Sequence, residues 1–119
     1  MARKRVAVEF GMGTDLRGQD YTKAAERALR DALWHNSLTV ARAFGFQPEE
    51  MIVEVDVAVT HPDQVDTDHL KSVLPYGQVS VSASQGGLDI LSDDGSKTTV
   101  MANAAVVVYL DFPDMEAAA

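Results

Sequence analysis

Hydrophobic and polar residues alternate in three stretches of the chain, and a fourth stretch is apolar throughout. Alternation with a period of two is typical of strands that expose one face, so we predict strands at 6–10, 51–60 and 78–90. The run 98–110 is apolar on both faces, which is expected of a strand that is covered on both sides. The sequence Ser-Asp-Asp-Gly-Ser at 92–96 predicts a hairpin before that last strand.

A helical period follows the first strand and predicts one long helix. Asp20 is a suitable N-cap, Gly45 is typical of the residue just past a helix C-terminus, and Pro48 follows. Between them lies an apolar stripe that consists of Tyr21, Ala24, Ala25, Ala28, Leu29, Ala32, Leu33, Val40 and Phe44. Residues 66–68 cap a second, short helix that is predicted to end at Leu74.

The predicted element order is β-α-β-α-β-β, which indicates an α/β sandwich: a four-stranded sheet with helices on one face. At 119 residues the chain is one domain by size, and residues 1–5 and 113–119 are expected to be flexible ends. The long helix would cover the valine face of the strands. The other face would carry Glu9, Glu54, Asp56, Ser80, Ser82, Ser84 and Asn103. Because one short chain has no further element for that face, we expect a homo-oligomer.

Composition narrows the classes of partner. The hydrophobic fraction of 46% and charged fraction of 24% are typical of a soluble globular protein. A net charge of −8, with clustered basic residues only at 3–5, argues against a nucleic-acid surface. The longest apolar run, 104–110, is too short to span a membrane, and the absence of cysteine excludes disulfides and thiolate sites. We therefore expect a cytoplasmic protein without a nucleic-acid or membrane partner.

The segment after the first strand combines glycines with polar side chains. Loop N–H groups and the N-terminus of the following helix can hold a polar ligand. The candidate ligand-binding residues are Gly11, Gly13, Asp15, Arg17, Gly18, Gln19, Asp20 and Asn36. Two alternatives stay open: the glycines only permit a sharp turn, or the loop binds a nucleotide. The nucleotide alternative lacks two features, since Leu16 replaces the third glycine of a dinucleotide loop and no phosphate-loop lysine is present.

Asn36 and Ser37 lie on the apolar stripe of the predicted long helix. Once buried, their side chains need hydrogen-bond partners. They either bond to the backbone of a neighbouring strand, or Asn36 or His35 faces the ligand. The three histidines of the chain lack the close spacing of a metal motif, so we predict neither a metal nor another cofactor.

Ser80, Ser82 and Ser84 alternate on one face of the third predicted strand and lead into a Gln-Gly-Gly sequence. One interpretation is that these serines are simply solvated. If sister subunits enclose that face, Ser84 becomes a candidate nucleophile or ligand clamp. A nucleophilic serine needs a base within hydrogen-bond reach, and Lys97, in the hairpin beside this strand, is the candidate base.

The string from Gly11 to Ala25, with His-Asn-Ser at 35–37 after it, resembles the signature of a small family of uncharacterised bacterial and plant proteins. This Lin-type conserved hypothetical family is marked by Gly-x-Gly-x-Asp-x-His-Gly near the N-terminus. The resemblance spans most of the chain and departs at Arg17, where the family commonly has histidine. It implies no assigned activity.

A second resemblance is to the ring-opening amidohydrolases, the family of cyanuric acid hydrolase and barbiturase. A domain of that family has a strand, then Gly-Asn-Gly, then Asn-Asp-Phe-Thr-Arg opening a helix; residues 11–13 and 20–23 are similar in order. Residues 84–87 are similar to its Ser-Gly-Gly element. Three such domains surround one active site, so the resemblance implies a homotrimer. The family's dyad lysine has no counterpart, because residues 8–10 are Val-Glu-Phe.

Three hypotheses about function follow. The first is an enzyme that acts on a small polar molecule such as a cyclic amide, with Ser84 as nucleophile and Lys97 as base. The second is a non-catalytic oligomer that binds a metabolite or anion or serves as a scaffold. In the third, the polar features serve assembly alone, and Asp15 and Arg17 pair with a neighbouring subunit.

Overall fold

The computed structural model describes residues 2–35 and 39–113 of the chain. Within these ranges one sheet contains five strands, where the sequence predicted four. The strands are β1 (Ala2–Asp15), β2 (Ile52–Val59), β3 (Gln78–Gln85), β4 (Leu88–Leu91) and β5 (Thr98–Phe112). The helices are α1 (Tyr21–His35), α2 (Val40–Ala43) and α3 (Thr67–Lys71), with 3₁₀ turns at Pro48–Glu50 and Pro62–Gln64. The predicted α/β class is confirmed.

The strand order is β1-β5-β2-β3, with β4 paired to β5 beyond the end of β2. Only β2 and β3 run parallel among the described strand pairs, and the other pairs are antiparallel. α1 packs across β1 and β5 and reaches β2. No helix in the described ranges is long and apolar enough to cross a membrane.

The core lies between α1 and one face of the sheet. The predicted valine face of β2 is confirmed, because its alternating valines are almost fully buried. The predicted stripe of α1 is also buried, and most of its members are alanines. The inward side chains of β5 complete the layer: Val100, Ala102, Ala104, Val106, Val108 and Leu110.

β1 presents its faces in the opposite sense to the prediction. Glu9 is paired with the buried Val106 and therefore lies on the α1 face, not on the open face. Val8 and Phe10 lie on the open face, where Phe10 is 70% exposed. The reason is steric, because Gly11 and Gly13 lie on the same face as Glu9, and larger side chains at these two positions would hold α1 away from the sheet.

Gly11 and Gly13 allow α1 to approach the backbone of β1 closely. A Cβ atom at Gly11 would overlap the Ala28 carbonyl, and one at Gly13 would lie 2.6 Å from the Ala24 carbonyl oxygen. Both glycines belong to β1, which continues to Asp15. The prediction of a loop that starts at Gly11 is therefore wrong, and the loop consists of residues 16–20.

The helical region predicted from Asp20 to Gly45 contains α1 and a separate α2. Asp20 caps α1 as predicted, since its carboxylate accepts a hydrogen bond from the Lys23 N–H at 3.0 Å. Phe44, at the end of α2, meets Phe112 edge-on, with 5.5 Å between the ring centroids. The predicted sites at Asn36 and Ser37 lie outside the described residues.

Two further predictions need correction. The third predicted strand is divided into β3 and β4, because Gly87 has a φ of +65° and lies against the backbone of β5 and β2. Residues 2–5, expected to be flexible, belong to β1 and pair with the end of β5. There Arg3 donates to Asp111 at 2.9 Å, and this bond holds the pKa of the Asp111 carboxyl below its usual value.

The predicted hairpin connects β4 and β5. The Asp94 carboxylate accepts hydrogen bonds from the Ser96 hydroxyl at 2.7 Å, the Ser96 N–H at 2.9 Å and the Ser92 hydroxyl at 2.7 Å. These bonds, the one from the Ser96 hydroxyl first, favour the ionised form and lower the pKa of Asp94 to about 2. An exposed, ionised carboxylate therefore closes this turn.

Gly13→Ala should destabilise the protein strongly, because the new methyl group would meet helix backbone, which cannot rotate away. We expect a loss of about 3 kcal/mol in the free energy of unfolding, measured with urea. Gly95→Ala is the control, since nothing lies within 4 Å of its Cβ position and only its φ of +72° is unfavourable. That variant should lose about 1 kcal/mol. Equal losses would contradict the close packing of α1 on β1.

The Asp94 carboxyl should titrate by NMR with a pKa of about 2, and Ser96→Ala should move this pKa toward 3.8. Because the pKa is lowered in the folded state, the contribution of Asp94 to stability is present above pH 3.8 and is lost as pH falls through about 2. Amide hydrogen exchange in β4 should accelerate over that interval. An unchanged pKa in Ser96→Ala would show that the serine bonds do not stabilise the ionised form.

Candidate functional site

Two polar clusters lie along or just beyond the C-terminal halves of the parallel strands β2 and β3. The first, here called the serine–aspartate row, consists of Asp56, Ser82 and Ser84 on the open face. The second, here called the strand-end cluster, lies on the α1 face of the sheet. Its members are Gln19, Tyr21, Thr60, His61 and Asp89. Crevices at the carboxyl ends of parallel strands are common ligand sites.

The serine–aspartate row is held together by the register of β2 and β3. Asp56 is opposite Ser82, and Ala58 is opposite Ser84. The Ser84 hydroxyl donates to Asp56 Oδ2 at 2.9 Å, and the Ser82 hydroxyl donates to Asp56 Oδ1 at 3.1 Å. Since each hydroxyl has one proton, which points to Asp56, the row presents oxygen lone pairs and a negative charge to the outside.

Large apolar side chains continue the same face of the sheet. We call Phe10, Met12, Leu88 and Ile90 the apolar strip; all four are exposed, Phe10 by 70% and Met12 by 57%. Ala105 on β5 is opposite Phe10 of β1 on one side and opposite Asp56 of β2 on the other. The strip and the row are therefore parts of one continuous surface.

Asp15 organises the loop between β1 and α1. Asp15 is 7% exposed. Its Oδ2 accepts a hydrogen bond from the Asp20 N–H at 2.9 Å, and its Oδ1 lies 3.4 Å from Arg27 Nη1. Gly18 fits against the same carboxylate, because a Cβ there would lie 3.0 Å from Oδ2. The geometry gives Asp15, Gly18 and Asp20 a role in fixing the loop, while Arg17 is exposed on it.

The strand-end cluster is centred on a buried tyrosine. Tyr21, which is 2% exposed, donates from its hydroxyl to Asp89 Oδ2 at 2.6 Å. Its oxygen accepts from Gln19 Nε2 at 3.4 Å and from the Thr60 hydroxyl at 3.5 Å. His61 Nδ1 lies 3.0 Å from Thr60 Oγ1 and 3.7 Å from Asp89 Oδ2. Asp89 Oδ1 is buried without a hydrogen-bond partner among the described residues.

Of this cluster, only Gln19 is among the site residues that the sequence predicts. The sequence pattern puts Tyr21 in the apolar stripe and Asp89 in a predicted strand. Two signals point to the cluster in retrospect: a tyrosine at the first position of an alanine-rich stripe, and an aspartate on the inward face of an apolar strand. A phenol and a carboxylate on core-facing positions need partners, and here they find each other.

The two predicted catalytic residues are not in contact. The Ser84 hydroxyl bonds to Asp56, whereas Lys97 lies in the β4–β5 turn with an exposed side chain. Within the described ranges Ser84 and Lys97 share no hydrogen bond. Gly11 and Gly13 lie under α1, and Asn36 lies outside the described residues.

A further polar group holds α3 to α1. His69 Nε2 and Glu26 Oε1 are 2.5 Å apart, and Arg30 donates to the other oxygen of Glu26 at 3.1 Å. The hydrogen bond with His69, followed by that with Arg30, lowers the pKa of Glu26. In the described part of the chain no group of three histidine or acidic side chains is close enough to hold a metal ion.

Comparisons with known proteins agree with this architecture. A crystal structure of an FtsZ-like protein of unknown function from Nostoc punctiforme PCC 73102 is similar, with a TM-score of 0.83 and 39% identity. The match covers 94% of this chain and 99% of that chain. No curated protein matches the chain. Residues 5–108 match the family described as "Conserved hypothetical protein (Lin0512_fam)". The chain therefore belongs to this family, which confirms the first resemblance.

Proposed function

We propose that this protein is a homo-oligomer that binds a small polar molecule at the serine–aspartate row, between the open faces of its subunits. One observation carries the proposal: Phe10, Ala105, Asp56 and Ser82 lie in one line across the sheet. A second copy that covers Phe10 therefore also covers, or closely borders, the row. Assembly and ligand enclosure would then be one event.

The apolar strip supports a partner on this face. Large contiguous apolar surface is uncommon on monomers and is typical of interaction sites. Removing it from water contributes about 25 cal/mol per Å². A second copy of the chain is a suitable partner, because the face also carries opposite charges at separate positions, Arg5 on β1 and Glu54 on β2. Copies of one surface with this pattern can complement each other.

The chemistry of the row indicates which ligand would fit. Asp56 is an acceptor, and the protons of Ser82 and Ser84 are directed at it. The row is thus best matched by a molecule that donates hydrogen bonds, such as a cyclic amide, an amine or a guanidinium group. An anion would meet the carboxylates of Asp56 and Glu54 and is disfavoured.

Binding is better supported than hydrolysis. Ring-opening attack by Ser84 requires a base that takes its proton, and the candidate base Lys97 makes no bond to it within the described ranges. The Ser84 hydroxyl donates to Asp56 instead, and a carboxylate is a far weaker base than a neutral amine, so this bond orients the hydroxyl and does not remove its proton. We therefore infer a binding role for Ser84, as a ligand clamp.

Replacing Phe10 by glutamate should break the assembly, because a charge would be placed on the apolar strip, at the position in line with Asp56. Sedimentation at micromolar concentration should give a multiple of 12.9 kDa for the wild type and a mass near 12.9 kDa for Phe10→Glu. Trp34→Glu is the matched control, since Trp34 is 86% exposed but lies on α1. A monomeric wild type, or an unaffected Phe10→Glu, would refute the proposed assembly.

Binding at the row can be probed with methylguanidinium, a small cation that donates several hydrogen bonds. We expect saturable NMR shifts of the amides of Asp56, Ser82 and Ser84. Asp56→Asn should weaken binding at least about tenfold, because a hydrogen bond to a charged group contributes about 1.5–3 kcal/mol. Glu49→Gln, an exposed acid on a 3₁₀ turn, should leave binding unchanged. Equal affinities for the wild type and Asp56→Asn would exclude the row as the site.

A further inference from the structure

We propose that the strand-end cluster is a second site, in which His61 accepts a proton from a small ligand that carries an ionisable N–H or O–H group. This site is separate from the serine–aspartate row. Asp89 is paired with the buried Val100 and faces α1, whereas Ser84 faces the open side of the sheet. The proposal therefore does not depend on the assembly described above.

The Asp89 carboxylate is the terminal acceptor of the cluster, and the direction of the hydrogen bonds can be followed from it. The Asp89 carboxylate only accepts, so the single proton of the Tyr21 hydroxyl points to it. The Tyr21 oxygen is then an acceptor, and the Thr60 hydroxyl donates to it. The bond from Thr60 to Tyr21, at 3.5 Å, and the Asp89 carboxylate, 3.7 Å from His61 Nδ1, both favour a proton on Nδ1, which then donates to Thr60 Oγ1 at 3.0 Å.

This assignment leaves the other ring nitrogen of His61 without a proton. The neutral imidazole carries one proton, so a proton on Nδ1 gives Nε2 a free lone pair. The His61 side chain is 51% exposed, which lets a ligand reach the ring from solvent. Tyr21, packed at 5.1 Å between ring centroids, limits the positions that the ring can take.

Asp89 provides the electrostatic reason for the proton to move. Its Oδ2 lies 3.7 Å from His61 Nδ1, and its buried Oδ1 lacks a hydrogen bond within the described ranges. The negative charge of this carboxylate, whose side chain is 21% exposed, stabilises a positive charge nearby. When the ligand transfers its proton to Nε2, the N–H or O–H bond breaks, its electron pair stays on the ligand, and the imidazolium forms beside Asp89. The proton later returns to the ligand or passes to water.

His69 provides a matched comparison. Its side chain is 49% exposed, nearly the same as that of His61, but its Nε2 is already bonded to Glu26. Exposure therefore does not distinguish the two histidines, and the availability of the lone pair on Nε2 does. His69 is therefore the comparison for a ring nitrogen that is already bonded, and changes at His61 itself report on the strand-end cluster.

The tautomer is tested by ¹⁵N NMR of the histidine rings. Neutral His61 should carry its proton on Nδ1 in the wild type. Asp89→Asn and Tyr21→Phe, which interrupt the chain of hydrogen bonds, should each shift His61 toward a mixture of tautomers. His69→Gln should leave His61 unchanged. A proton on Nε2 of His61 in the wild type would overturn the proposal, and so would a tautomer that Asp89→Asn and Tyr21→Phe both leave unaltered.

The lone pair and the ligand step are tested with two probes. Diethyl pyrocarbonate should modify His61 about tenfold faster than His69 in the wild type, because Nε2 of His69 is bonded. 4-Nitrophenol, which has an ionisable O–H, should show a saturable rise in phenolate absorbance on mixing with the wild type. His61→Gln should abolish this rise and His69→Gln should keep it. Equal modification rates, or a rise that persists in His61→Gln, would refute the role of His61.

Discussion

The close approach of α1 to the backbone of β1 is the constraint on which the rest of the structure depends. Gly11 and Gly13 leave no side chain between the two backbones, and the facing surface of α1 is built from alanines. Such contact fixes the helix along and across the strand, because the surfaces interdigitate with little free space. This contact therefore determines the positions of the residues at the N-terminus of α1.

The strand-end cluster shows how this constraint reaches the chemistry. Tyr21 is the first residue of α1, so the position of the helix on β1 determines where the Tyr21 hydroxyl lies. That hydroxyl reaches Asp89 on β4, a strand that is itself placed by its pairing with β5. Asp15 and Asp20 hold the loop that leads into the helix, and Gln19 adopts a φ of +50° within it. A strained residue in a tightly held loop is compatible with a functional position.

The features that could be predicted from the sequence are those set by local rules. The alternation in β2 and β3, the cap at Asp20 and the hairpin around Asp94 depend on residues close in the chain, and all three are confirmed. The faces of β1 could not be predicted in this way. The alternation of Val8 and Phe10 with Glu9 indicates a strand but does not indicate which face of the strand packs against a helix. Hydrophobicity alone predicts that the face with Val8 and Phe10 does so, which is wrong. Tyr21 and Asp89 are 68 residues apart, so no local pattern joins them.

The exposure of Phe10 follows from the same packing and is not an isolated feature. A strand whose helix-facing positions must be small has only its other face for large side chains, since successive residues alternate between faces. β1 therefore carries Phe10 and Met12 on the open side because it carries Gly11 and Gly13 under α1. Solvated serines would explain the polar half of that face, but they do not explain an exposed Phe10 in the same line as Asp56. A partner surface accounts for both halves. The packing of α1 on β1 therefore also places Phe10 and Met12 on the face through which we propose that the protein assembles.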